Sequence, residues 1–531
     1  MKQLLFSVSI FIASAAFAQK KNPDNWQTLD PKKDKAYGVG SEEAYKTLTG
    51  KTSKMVIVAV IDSGVDPNHE DLKEVIWKNE DEIADNGIDD DKNGYIDDVN
   101  GWSFIGGKNG DINNEASELA RIVQKGRKKY KNVDEATLSG DDLKAYQEYK
   151  KLDEKFTAEL KSSERQLANI QMVDGYIQKV KKQNNGVLNK AAFQNYTPEN
   201  EMEKALTKNL KLAFTLGLKP EEIESELKDG IEHFEPMVTY GKLDSDSLRA
   251  YLVGDDANNP TEKYYGNNHV QGPDARHGTH VAGIIAATRG NKLGIEGIAN
   301  NVKIMIVRCV PNGDERDKDI ANSIYYAVDN GATIINMSFG KYYSPEKKLV
   351  DDAVKYAQSK DVLMIHAAGN ESKDADVELS FPTRELLSGE IASNWMQIGA
   401  SGCKKGEKII GGFSNYGLKK VDLFAPGVDV YSSIPDSKYD TFSGTSMASP
   451  STAGAAAIIR GYFPELKAEE VRAVLMKTVV PYSGKVNVPG LKKPKGLRKK
   501  MKPVSRKISE MCISGGFLNV NNAVIELMKK K

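Results

Sequence analysis

Cysteine is nearly missing: 531 residues carry only Cys309, Cys403 and Cys512. An odd number in a chain of this length excludes a disulfide framework as what holds the fold together. Cys309 ends an apolar run with no Cys–His signature around it, so it reads as a small buried residue rather than a nucleophile. Net charge is also missing, because Lys+Arg and Asp+Glu both number 74. No overall field therefore draws the chain to nucleic acid or to an acidic membrane. Beyond the first residues no apolar run approaches a membrane span. No fixed period recurs, which excludes a repeat array. What is present is a 40% hydrophobic share, in a chain long enough for one large domain with an insertion or for two or three domains.

The N-terminus departs from this. Met1-Lys2 leads into an apolar run from Leu4 to Phe17, and Ala16-Phe17-Ala18 forms a small-x-small cleavage pattern before Gln19. The expectation is a signal peptide over 1–18, removed on export to the periplasm or the medium; a short membrane anchor is the alternative. Residues 19–54 form a polar, Pro- and Lys-rich extension with a helical pattern over Glu42–Leu48, leaving little room for a folded pro-domain.

Val56–Ile61 (VIVAVI) is a continuous β-branched run, the pattern of a strand buried on both faces of a parallel sheet, and it ends in Asp62-Ser63-Gly64. Active-site groups in open α/β sheets lie at the carboxyl ends of strands, although VIDSG alone reads equally as a polar turn. Strand patterns at 302–307, 333–337 and 362–367 alternate with helical ones at 318–330 and 345–359, which predicts a central parallel sheet flanked by helices. The strand at 362–367 runs into Ala368-Gly369-Asn370, whose side-chain amide can donate to a developing oxyanion; a plain turn Asn is the alternative. Shorter strands are expected at 396–400 and 421–424. His277 opens HGTHVAGIIAA at the start of a helical run, and His280, one turn on, reads as structural. In FSGTSMASPSTAG, Phe442–Gly454, small neighbours surround Ser446 at the start of another helix, the setting of a nucleophile.

Two other stretches stand apart. In NGIDDDKNGYIDDVNG the residues Asp89, Asp91, Asn93, the Tyr95 carbonyl and Asp97 take the first, third, fifth, seventh and ninth places of an EF-hand-type loop around Gly94. This predicts a structural calcium, with an Asp/Gly-rich turn as the alternative, since Asn100 stands where a bidentate Glu is wanted. From 114 to 254 the composition turns to Lys, Glu, Gln, Leu and Tyr. Tyr146, Tyr149, Leu152, Phe156, Leu160, Leu167, Ile170, Ile177 and Val180 recur at mostly helical steps. Thr197-Pro198 and Lys219-Pro220-Glu221 read as the starts of two further helices. This α-helical insertion reads most plainly as a solvated hairpin of helices; a contact with a partner or with the chain's own cleft is the alternative. The basic run Lys485–Lys507 has no interleaved aromatics and reads as a solvated loop.

VAVIDSGV, HGTHVAG and GTSMASP, in that order, closely resemble the three motifs of subtilisin-like serine proteases, the subtilases. The resemblance covers 54–71, 277–478 and the closing 516–524, not the insertion. It implies an α/β subtilisin-like fold with a peptidase domain over 55–113 and 255–531, interrupted by the helical insertion at 114–254 between Asp62 and His277. It implies Ser446 as nucleophile, His277 as general base then acid, Asp62 as the orienting carboxylate and Asn370 as the oxyanion donor. Ser338, Phe339 and Gly340 resemble the strand that pairs with the substrate backbone. Protein or peptide substrates follow, hydrolysed through an acyl-enzyme with no catalytic cofactor. Lys341 stands where many relatives have a second Gly and Ser451 where a His is common. The rival reading is a catalytically weak subtilase scaffold that binds partners through its insertion. An α/β-hydrolase would want GxSxG and the order Ser, acid, His, and neither is present.

Overall fold

The computed structural model describes residues 22–215, 217–495 and 500–529, so the expected signal peptide lies outside it. The chain divides into two compact units, Leu119–Ser245 and a larger one formed by Asn22–Glu118 with Asp246 onward.

The larger unit is built on a nine-stranded sheet among the described residues. Its strands are β1 (Val56–Asp62), β2 (Gly101–Ser103), β3 (Val302–Arg308), β4 (Ile334–Met337), β5 (Leu363–Ala367), β6 (Trp395–Ser401), β7 (Leu423–Pro426), β8 (Val480–Pro481) and β9 (Gly516–Phe517). Their spatial order is β8-β9-β7-β6-β5-β4-β1-β3-β2, parallel throughout except the β8–β9 pair. β1 is an interior strand, with Val58 in register with Ile304 of β3 and with Ile334 of β4.

The β-branched run of β1 serves two cores, because side chains alternate across a strand. Val58 and Val60 pack with the helices Arg276–Ala286, Thr445–Tyr462, Ala468–Lys477 and Val520–Met528. Ala59 and Ile61 pack on the other face with the helices Asp317–Asp329 and Lys347–Ser359. Both faces are closed to water, as the continuous apolar pattern requires.

The N-terminal extension is part of the first core. Trp26 is 2% exposed and packs with Ala36, Val39, Ala44 and Leu48. Its Nε1–H donates to the Asp429 carbonyl at 2.9 Å. The basic run at 485–507 is a correction: Lys485–Lys495 and Lys500–Lys507 form an antiparallel hairpin rather than a loop. Val486 and Val488 are buried with Ile508, Met511 and Phe517, and the surrounding lysines had obscured that alternation. A second hairpin, Val430–Ile434 with Lys438–Phe442, precedes Ser446 and was not visible as strands in the sequence.

The smaller unit is helical and has its own core, in which Ile170, Ile177 and Val180 of the long helix Gly140–Gln183 meet Phe193, Leu206, Leu210 and Leu227. Pro220 opens the helix to Tyr240 as expected, with Lys219 N–H donating to Glu222 Oε2 at 2.9 Å. The preceding helix begins at Glu201 rather than at Pro198. Asn200 is its cap, accepting the Glu203 N–H at 2.9 Å, and caps of this kind outrank Thr-Pro. The unit is shorter at both ends than the expected 114–254, because its roots belong to the larger unit. Buried Arg249, for example, pairs with Asp255 at 2.8 Å and Asp319 at 2.7 Å.

Trp26→Ala is expected to destabilise the larger unit by about 3–5 kcal/mol, the usual cost of emptying a buried Trp site. Chemical denaturation reads this as a lowered midpoint; an unchanged midpoint would make the 22–53 segment peripheral.

Candidate active site

Asp62 ends β1 opposite Arg308, the last residue of β3, and is 2% exposed. Its Oδ1 accepts the Ser63 N–H at 2.8 Å and lies 2.7 Å from His277 Nδ1. His277 is the second residue of the 276–286 helix. That helix approaches the Asp62–Gly64 turn closely only because residue 278 is glycine: a Cβ there would fall 2.1 Å from the Gly64 carbonyl oxygen. Burial disfavours the imidazolium, but the charge and hydrogen bond of Asp62 outweigh it, with Asp274 adding to them. His277 therefore titrates above the ordinary value of 6.5. The side chain is 38% exposed, which leaves it open to a reactant.

Ser446 is the second residue of the 445–462 helix. Its hydroxyl donates to the Ser338 carbonyl at 3.1 Å, and the Ser338 hydroxyl donates to the Ser446 carbonyl at 2.9 Å. Behind this pair, Asn336 Nδ2 donates to Ser338 Oγ at 3.0 Å while its Oδ1 accepts from Ser449 Oγ at 2.8 Å. The start of the helix is thus tied to the end of β4. The same helix is tied to β5 through Asn370, whose Oδ1 accepts both the N–H and the hydroxyl of Thr445, at 2.8 and 2.9 Å. With its oxygen held, the exposed Asn370 presents its amide nitrogen as the donor. Thr445 had read only as a small neighbour of Ser446; its signal was adjacency, and its partner lies 75 residues away in sequence.

The sequence profile of the subtilase family matches residues 53–500. The chain belongs to this family. Among its relatives, a thermophilic serine proteinase of Bacillus sp. (strain AK1) is 36% identical over 222 residues, 42% of this chain and 49% of that protein. An intracellular serine protease of Paenibacillus polymyxa is 34% identical over 256 residues, 46% of this chain and 73% of that protein. The major intracellular serine protease of Bacillus subtilis (strain 168) is 38% identical over 216 residues, 39% of this chain and 63% of that protein. The chain spans about half the length of the first of these relatives.

In this subtilase the other imidazoles near the site are structural. Burial, with His277 nearby, pushes His280 down to about 3; its Nε2–H donates to the Asp440 carbonyl and its ring stacks on Phe442, centroids 4.2 Å apart. Burial also pushes His366 down to about 4, and its Nε2–H donates to the Phe339 carbonyl at 2.8 Å. Ser338, Phe339 and Gly340 follow β4 without pairing as a ladder strand. Lys341 does not carry a charge into an open pocket: its side chain is 0% exposed and its ammonium lies 2.7 Å from Glu118 and 2.8 Å from Asp317. Ser451 fills an interior position, its hydroxyl within hydrogen-bonding reach of the Pro426 and Met447 carbonyls.

The expected calcium loop is tightly self-bonded. Asp89 accepts the N–H groups of Asn93 and Gly94, Asp97 those of Asn86 and Gly87, and Asn93 Oδ1 that of Tyr95. Asn100, at the twelfth place, donates to the Trp77 carbonyl. The carboxylates that converge are Asp91 with Glu82 and Asp98, each with an oxygen within 4.8 Å of the others. Glu82 and Asp98 fall outside the loop spacing, so the sequence pattern gave no signal for them. Burial holds the Asp98 carboxyl above its ordinary range, against hydrogen bonds from Tyr326, Asn79 and Asn93.

Asp62→Asn removes the charge that favours the imidazolium and leaves the burial that opposes it. The His277 midpoint, followed by NMR of the imidazole, is expected to fall below that of the parent protein. A midpoint that stays put would mean that Asp62 does not set it.

Proposed function

We propose that this subtilase is an exported serine endopeptidase acting on protein or peptide substrates through an acyl-enzyme. The observation that carries the reading is the 2.7 Å contact of His277 Nδ1 with buried Asp62; the helix that bears His277 in its first turn packs against the helix that bears Ser446 in its first turn. A serine hydroxyl is a weak nucleophile at neutral pH and needs a base, and the imidazolium that forms needs a fixed anion.

In this mechanism substrate enters along Ser338–Gly340 and the Ser446 hydroxyl turns from the Ser338 carbonyl to His277 Nε2. Oγ attacks the scissile carbonyl carbon as its proton passes to Nε2. The oxyanion is held by Asn370 Nδ2–H and the Ser446 N–H. Collapse breaks the C–N bond, and His277 returns its proton to the leaving amine. Water, deprotonated by the same imidazole, then releases the acyl group and restores Ser446. Asp62 stays ionised throughout and holds the imidazole by Nδ1–H. Asn370→Ala is assigned a loss of about 100- to 1,000-fold in turnover, a magnitude taken from a subtilisin.

Export rests on the 1–18 pattern alone, since two relatives carry the word intracellular in their names. No helix of the described residues is long and apolar enough to cross a membrane. A fluorophosphonate probe tests the activity and the site together. The parent protein is expected to label, Ser446→Ala to lose at least about 1,000-fold of the labelling rate, and the labelled species to begin at Gln19. Labelling that survives Ser446→Ala would overturn the site. No labelling of the parent at any calcium concentration would favour the rival reading, a binding scaffold acting through the helical unit.

Calcium is assigned a structural role at the loop of Asp89, Asp91, Asn93, Tyr95 and Asp97. Hard oxygen donors suit it, and a cation held by Asp91 would also face the carboxylates of Glu82 and Asp98, which converge there. A site filled at 100 times its Kd stabilises the fold by about 2.7 kcal/mol. Chelator is therefore expected to lower the melting temperature of the parent and not that of Asp91→Asn. A parent melting temperature unmoved by chelator would remove the site.

A further inference from the structure

The segment that leaves β4 is held at each residue, and Lys341 is its far anchor. Ser338 exchanges two hydrogen bonds with Ser446. The Phe339 carbonyl accepts from His366. Gly340 lies against Ser380 and Phe381, where a Cβ would stand 2.7 Å from Ser380 Oγ. Lys341 pairs with Phe381 in both directions, its N–H donating to the Phe381 carbonyl at 3.0 Å and its carbonyl accepting the Phe381 N–H at 2.7 Å. Its buried ammonium then meets Glu118 Oε2 at 2.7 Å, Asp317 Oδ1 at 2.8 Å and the Glu315 carbonyl at 2.7 Å.

An ammonium has three N–H donors, and three acceptors take them here. The acceptors are themselves placed. Asp317, which opens the 317–329 helix, also accepts from Ser344 Oγ and the Glu346 N–H, both at 2.9 Å. Glu118, the last residue before the helical unit, donates its N–H to Asp314 at 2.8 Å. A buried ion cluster is a poor source of stability, because desolvating the charges offsets their attraction and an apolar side chain of similar volume often does as well. What three directed contacts add over apolar packing is a fixed position for the head, and so for the backbone that carries it.

We propose that Lys341 is a positioning residue for substrate: its triad with Glu118 and Asp317 holds Ser338–Gly340 extended for pairing with the peptide backbone. This rests on the reading of Ser338–Gly340 as the substrate-pairing segment. The same contacts spend the lysine charge inside the protein, so Lys341 confers no preference for an acidic side chain in the pocket beside it. Lys341 therefore acts on extended peptides and not on small reagents that need only Ser446, His277 and Asn370.

The test compares Lys341→Met/Glu118→Gln/Asp317→Asn, which neutralises the whole cluster and leaves no carboxylate stranded, with the milder Glu118→Gln. Substrates are a peptide with several residues on its acyl side and a single-residue ester, with fluorophosphonate labelling alongside. The triple variant is expected to raise KM for the peptide about tenfold, equivalent to about 1.4 kcal/mol, with labelling and ester hydrolysis within about twofold of the parent. Glu118→Gln should move KM in the same direction by a smaller factor. An unchanged peptide KM in both variants overturns the proposal, and so does a parallel loss with peptide, ester and label, which is the mark of a merely structural role. A parent protein that fails to label defeats the peptidase reading itself, an outcome separate from either of these.

Discussion

A parallel sheet covered by helices on both faces leaves only the strand ends free for chemistry, and the architecture of the larger unit follows from that constraint. The alternation of Val58 and Val60 with Ala59 and Ile61 commits β1 to two apolar cores. Its polar side chain therefore comes at the last position, where Asp62 meets the 276–286 helix. β4 and β5 end at the same edge, and their continuations supply Ser338 and Asn370. The 445–462 helix is bonded to both of these, so its first turn sits where strand ends and helix starts converge.

Electrostatics then separates imidazoles that look alike in the sequence. His277, His280 and His366 all meet the cost of burial, which lowers a histidine's pKa. Only His277 faces a carboxylate close enough to reverse it; the others fall to about 3 and about 4 and act as neutral donors to backbone carbonyls. One imidazole is thereby distinguished from two struts by a single contact of 2.7 Å. Buried charge is managed similarly around the roots of the helical unit, where Arg249 and Lys341 are each enclosed by carboxylates.

Where the sequence misled, composition had hidden geometry. The 485–507 run looked like a solvated loop because lysines dominate it, yet Val486 and Val488 alternate inward and a hairpin forms. The cap of the 201–215 helix is Asn200 rather than Thr197, a short-range competition between good caps that spacing alone does not decide. Lys341 read only as a departure from the second Gly that many relatives carry after Gly340. Its actual environment is made by Glu118 and Asp317, which no local pattern connects to it.

The sequence by itself determined the parts that depend on local periodicity and on short motifs. These are the buried parallel strands, the helical stretch between Asp62 and His277, and the positions of Asp62, His277, Asn370 and Ser446 at element ends. Such features are legible because strand and helix periods and turn residues act over a few neighbours. Only the tertiary structure decided the Asp62–His277 contact across 215 residues, the Thr445 clamp on Asn370, and the gathering of Glu82 and Asp98 beside Asp91. Those depend on which strand lies beside which and on how closely a helix packs. Distances of a few ångströms between segments far apart in the chain are set by packing, and a linear pattern does not encode them.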